Sequence, residues 1–144
     1  MIMPYLSFSG DCEEAFLWYK EIFSGEIQHI SKYGDIPENP DAPMNDEQKS
    51  KVMHAQLMLT ETGGISGADA LWPTEKGGAV AIHAHLSNEA TARKVFSALS
   101  ENGTVLGELA TNPPPDDSGI SGSVKDKYGF TWIISALKSS MGSN

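Results

Sequence analysis

The sequence predicts an α+β protein made of two copies of a strand–helix–three-strand unit. Three observations predict it. Short apolar runs with period-two alternation recur in both halves of the chain. Each half holds one amphipathic helical stretch directly after its first strand. Clusters of Gly, Asn and Asp separate the remaining runs. Comparing Tyr5 with Ile82 sets the halves about 77 residues apart, and the repeat is one of pattern rather than identity. The alternative is a generic ferredoxin-like α+β sandwich, which uses fewer strands.

The elements follow in order. Residues 1–9 read as a strand bounded by Gly10. Asp11 can cap a helix, with Glu14 completing a capping box. Ala15, Phe16, Tyr19, Ile22 and Phe23 line that helix, and Gly25 stops it. Residues 26–33 form a strand, and 34–51 a long loop with Pro37, Pro40 and Pro43. From Val52, the residues Met53, Ala55, Leu57 and Leu59 take one face, while His54, Gln56 and Met58 take the other. Residues 61–64 are a hairpin turn, 65–69 a returning strand and 70–78 a connection holding Trp72 and Pro73.

The order then repeats. Residues 79–86 are a strand, and Ser87 or Asn88 caps a helix with Ala92, Val95, Phe96 and Leu99 on one face. Asn102-Gly103 ends it, and 104–109 is a strand followed by the loop 111–118. Residues 119–124 and 130–137 are two further strands joined by Asp126-Lys127-Tyr128-Gly129. Module one spans about 1–70, module two about 79–138, within a single domain 1–138; residues 139–144 read as a flexible tail.

Bulk properties narrow the function. The 144 residues suffice for one domain with a core. The formal charge of -9 repels phosphate backbones and anionic lipid surfaces, so neither nucleic acid nor membrane is an expected partner. The single cysteine, Cys12, rules out an internal disulfide and suits a reducing cytoplasm. The opening residues have neither the basic region nor the apolar run of a signal peptide. A cytoplasmic location is expected.

Several motifs carry a resemblance. Pro4-Tyr5-Leu6-Ser7-Phe8, Cys12-Glu13-Glu14-Ala15-Phe16, Trp18-Tyr19-Lys20-Glu21-Ile22-Phe23 and Gly25-Glu26-Ile27 resemble the opening of PhnB-like proteins. So do Tyr33-Gly34-Asp35, Val52-Met53-His54-Ala55 and the ending Asp126-Lys127-Tyr128-Gly129-Phe130-Thr131-Trp132. The PhnB-like branch belongs to the glyoxalase/bleomycin-resistance/extradiol-dioxygenase, or vicinal oxygen chelate, superfamily. The resemblance implies paired βαβββ modules, cupped mixed sheets with helices on the convex side, ligands in the concave face, and a homodimer. Many members carry the label 3-demethylubiquinone-9 3-methyltransferase. The strand-to-helix turns Ser9-Gly10-Asp11 and Ser87-Asn88-Glu89 argue against that activity, because neither is the glycine-rich cradle that usually holds S-adenosylmethionine.

The superfamily's catalysts hold a divalent ion with His and Glu from the first and last strands of each module. Carried over, those positions fall at Met3 or Pro4, at Ser66 or Ala68, at His83, and at Trp132 or Ile133. Only His83 matches. No metal site and no cofactor are therefore expected, with a divalent metal kept as the alternative.

By strand alternation, His54, Gln56, His83 and His85 lie opposite the residues that pack under the helices, as do Tyr5 and Ser7. These six, with Trp132, are the candidate ligand-binding residues; for Trp132 a place in the ordinary core is the stronger reading. His29 reads as merely exposed. Cys12 reads as structural, since Asp11, Glu13 and Glu14 oppose a thiolate. No catalytic residue is assigned. The expected function is metal-free binding of a small, partly apolar molecule. The competing readings are a metal-dependent lyase, isomerase or dioxygenase using His83 and His85, and a structural role through dimerisation.

Overall fold

The computed structural model describes residues 1–139, so all of the expected tail at 139–144 except Ser139 lies outside the described residues. The chain divides into two compact units, Met1–Glu75 and a second beginning at Lys76. The first contains β1 (Tyr5–Phe8), α1 (Cys12–Phe23), β2 (Glu26–Lys32), α2 (Asp46–Lys49), β3 (Val52–Met58) and β4 (Gly64–Asp69). The second contains β5 (Ile82–His85), α3 (Glu89–Ser100), β6 (Thr104–Thr111), β7 (Gly119–Lys125) and β8 (Thr131–Leu137). Each unit is the predicted strand–helix–three-strand unit, and the class is α+β with two four-stranded mixed sheets.

The sheets share one topology. Their strand orders are β1-β4-β3-β2 and β5-β8-β7-β6. The first strand of each runs parallel to the last, and the other pairs are antiparallel. β5 is shorter than the predicted 79–86 because its partner β8 begins only at Thr131, and Ile82 already pairs with Trp132.

Each sheet buries one face under its own helix. On α1, Cys12, Ala15, Phe16 and Tyr19 are buried, against a sheet face that includes Leu6, Phe8, Ala55, Leu57 and Ile65. On α3, the predicted stripe Ala92, Val95, Phe96 and Leu99 is buried, with Ile120, Val124, Trp132, Ile134 and Ala136 completing the core of the second unit. Full burial of each large apolar side chain contributes about 1.5–3 kcal/mol. Under each helix, one phenylalanine lies over a strand glycine. A Cβ at Gly67 would come within 3.0 Å of the Phe16 ring and 2.7 Å of the Leu6 carbonyl oxygen. A Cβ at Gly122 would come within 2.8 Å of both the Phe96 ring and Leu109 Cα.

The helix ends show what local sequence can encode. Asn88 caps α3 as predicted, its side chain accepting from the Thr91 N–H at 2.8 Å. Asp11, by contrast, makes no side-chain cap on α1, which corrects the expected capping box. Asp69, at the end of β4, supplies the acceptor instead. Its Oδ1 accepts from the N–H groups of Gly10 (2.8 Å) and Cys12 (3.0 Å), and its Oδ2 from Val52 N–H (2.9 Å). At the end of α1, Ser24 rather than Gly25 takes the left-handed conformation, with φ 55°. In the proline-rich loop, α2 is a short helix capped reciprocally by Asn45 and Gln48.

The second unit has its own buried carboxylate. Asp126, 3% exposed, accepts from Tyr128 N–H (2.9 Å) and Phe130 N–H (3.0 Å) through Oδ1, and from Trp132 Nε1–H (2.8 Å) through Oδ2. This corrects the candidate role of Trp132 as a ligand contact. Its ring is fully buried on the helix side, and its one polar atom is already engaged.

Candidate functional site

The face of each sheet turned away from its helix gathers the remaining candidates. In the second unit, the parallel register sets His83 beside Ile133 and His85 beside Ser135. β7 adds Ser121 opposite Ser135 and Ser123 opposite Ile133. The alternation that sends Leu86, Ile134 and Ala136 inward sends this set outward. His83 and His85 are exposed, whereas Ser135 between them is nearly buried. His83 Nε2 lies 2.7 Å from Ser135 Oγ, and His85 Nδ1 lies 2.9 Å from the same atom. One hydroxyl thus bridges two imidazoles. Leu86 N–H donates to the Ser135 carbonyl at 2.8 Å, which holds that residue's backbone in place. Exposed Ile133 and Leu137 border the polar group.

In the first unit, β1 places Tyr5 beside Ser66 and Ser7 beside Ala68. β3 places His54 opposite Ser31 and Gln56 opposite His29. The Tyr5 hydroxyl is 3.3 Å from His54 Nδ1, and the two rings stack with centroids 5.8 Å apart. His29, read from sequence as merely exposed, lies against His54 on the other side, with ring centroids 5.8 Å apart and planes at 41°. Burial raises the Tyr5 pKa, and the Cys12 thiol adds to the effect, so Tyr5 remains a phenol. Tyr33 donates its hydroxyl proton to the Asp69 carbonyl at 2.8 Å, and burial raises its pKa as well. Cys12 is fully buried; burial first, then Asp69, Asp11 and Glu13, push its thiol far up. It is a core residue.

The structure therefore brings His83 and His85 together around Ser135, and Tyr5 together with His54. Ser7 and Gln56 share the helix-free face of the first sheet. Ser135 escaped the sequence reading, as did the contact of His29 with His54. A serine within alternating strand residues is ordinary until β5 is paired beside it.

Comparison with known proteins fixes the family. A family model described as 3-demethylubiquinone-9 3-methyltransferase matches residues 1–135. The chain belongs to this PhnB-like family. Protein PA1353 from Pseudomonas aeruginosa is 28% identical, with TM-score 0.81, covering 96% of this chain and 98% of its own. The PhnB protein from Bacillus cereus is 24% identical, with TM-score 0.72 over 96% and 98%. A glyoxalase family protein from Bacillus cereus, 12% identical, has TM-score 0.63 over 96% and 94%. The PhnB-like chain thus has the fold of the glyoxalase/bleomycin-resistance superfamily.

That superfamily implies a divalent metal, and the residues present do not fit one. Matched by pairing and by face, the counterpart of His83 in the first unit is Tyr5 rather than the expected Met3 or Pro4, and their partners on the last strands are Ile133 and Ser66. β1, β5 and β8 carry no acid. The one carboxylate on β4, Asp69, is turned inward and committed to three backbone N–H groups. Hard divalent ions need oxygen donors that these strands do not offer, and catalytic zinc usually takes three protein ligands. Among the described residues, no three His, Cys, Asp or Glu side chains gather as a ligand set.

Proposed function

We propose that this PhnB-like protein binds a small, partly apolar molecule without a metal, using the helix-free faces of its sheets. The carrying observation is the second-unit face, where the polar His83–Ser135–His85 group lies beside exposed Ile133 and Leu137. A few convergent polar groups on an apolar surround fix a ligand's orientation while burial supplies affinity. Tyr5, Ser7, His54 and Gln56 are the corresponding contacts in the first unit.

The methyltransferase description does not carry over as an activity. Both helix N-termini that could cradle a cofactor's charged groups already have acceptors, Asp69 at α1 and Asn88 at α3. Dimerisation is part of the proposal, because β2 and β6 are edge strands and exposed Val105 and Leu106 lie on β6. A cytoplasmic location fits the single buried thiol. Among the described residues, no helix is long and apolar enough to cross a membrane.

The test has two parts. Protein purified untagged, without added metal, is extracted and the extract compared with that of His83→Ala/His85→Ala by mass spectrometry. A small molecule enriched with the native protein and lost from the variant is expected; identical extracts would count against binding. Elemental analysis of the same samples decides the metal-dependent lyase, isomerase or dioxygenase alternative. Near-stoichiometric transition metal that disappears in His83→Ala would establish it.

A further inference from the structure

Resting on that binding reading, we propose that His83, Ser135 and His85 form a proton relay that catalyses tautomerisation of a small carbonyl compound on this face. A serine hydroxyl has one proton to donate and lone pairs to accept with. It contacts two imidazoles, at 2.7 and 2.9 Å. In the relay arrangement, with both rings neutral, it donates to one ring and accepts from the other.

The contacts run through unlike atoms, Nε2 of His83 and Nδ1 of His85. In that arrangement the two rings share one tautomer. If Ser135 donates to His83 Nε2, both rings carry their proton on Nδ1. If Ser135 donates to His85 Nδ1, both carry it on Nε2. In either state the outer nitrogens, His83 Nδ1 and His85 Nε2, comprise one donor and one acceptor. Both rings are exposed, so a solute can reach these atoms. Their Cα atoms, two residues apart on a strand, are separated by about 6.6–6.8 Å. A ligand that offers one donor and one acceptor to these two atoms, such as an enol, is complementary to both states.

The relay closes without charge separation. Starting with both protons on Nε2, His83 Nδ1 takes the enol O–H proton while His85 Nε2–H delivers its proton to the enol carbon. The His83 Nε2 proton passes to Ser135 Oγ, and the hydroxyl proton passes to His85 Nδ1. The enol O–H bond breaks, a C–H bond forms, and the enol becomes the ketone. Both rings end with the proton on Nδ1; water then takes the His83 Nδ1 proton and gives one to His85 Nε2 while the Ser135 relay runs back, which restores the starting state. No oxidant, reductant or metal takes part. Ser135 never touches the substrate; it is a positioning residue that couples two catalytic ones.

Two measurements test this. Long-range proton–nitrogen spectra of histidine-labelled protein at pH 8 report each ring's tautomer. Matched tautomers at His83 and His85 are expected, and opposite tautomers would overturn the relay. The second follows enol-rich acetylacetone, diluted from cyclohexane, as its ultraviolet band relaxes in water. The native protein should exceed an equal concentration of free imidazole by about 10²-fold. Ser135→Ala should abolish that excess while both histidines remain, and Ser135→Thr should restore it. A Ser135→Ala protein as fast as the native one would sink the relay. So would acetylacetone that shifts the His83 and Ile133 resonances without faster relaxation, although binding would then stand. Neither shifts nor acceleration would count against both.

Discussion

Replacing Asp69 tests how the first unit is tied together. The carboxylate is 2% exposed and accepts three backbone N–H groups from two separate segments of the chain. In Asp69→Ala, the donors of Gly10, Cys12 and Val52 lose their acceptor. A buried donor left unsatisfied costs about 1–3 kcal/mol, so a simple sum runs to about 3–9 kcal/mol. Relaxation and entering water reduce this, and about 3–5 kcal/mol is the expected loss. For a chain of this size that lowers Tm by about 6–20 °C. Asp69→Asn keeps one accepting oxygen but turns an NH2 group onto either Val52 N–H or the Gly10 and Cys12 N–H groups, for about 2–4 kcal/mol. Urea denaturation followed by far-ultraviolet circular dichroism reads both, with exposed Asp41→Ala as the control. A loss below about 1 kcal/mol in Asp69→Ala would refute the reasoning, because it would mean that the three donors are satisfied without the carboxylate.

Other expectations follow from the same contacts. Gly122→Ala should cost about 1–3 kcal/mol through collision with Phe96 and the Leu109 backbone, and adding Phe96→Leu should recover part of it in a double-mutant cycle. Trp132→Phe should cost about 1–3 kcal/mol by leaving Asp126 Oδ2 without its indole donor, whereas exposed Trp72→Phe should leave the urea midpoint unchanged. The Cys12 thiol has a raised pKa in the folded state. The unfolded chain therefore gives up its proton first, and stability should fall as pH rises above about 8.5, with at most about 1.4 kcal/mol lost per pH unit. Cys12→Ala should remove that part of the decline, and an unchanged alkaline slope would show that the thiol is not its source.

What was legible in the sequence was whatever is encoded locally. The stripe Ala92, Val95, Phe96 and Leu99 needed only helical spacing, and Asn88 caps its helix from three residues away. The outward turn of His83 and His85 needed only strand alternation. Asp11 misled because the acceptor at the start of α1 comes from Asp69, far along the chain, and no local pattern announces it. The Asn45–Gln48 cap was a local signal that the density of prolines obscured. Ser135 became significant only through the β5–β8 register, which a single sequence does not state.

The ring-over-glycine contacts of Phe16 with Gly67 and Phe96 with Gly122 have a consequence for how this protein can change. They concentrate the steric demands of each sheet on the side that carries the helix, where even one added methyl group collides. On the opposite side, His83, His85 and Tyr5 are exposed, and their side chains are not held in the core. Substitutions there are free to redraw what the protein recognises while the scaffold stays folded. One backbone can thereby carry different chemistries at these exposed positions while the packed side keeps the scaffold folded.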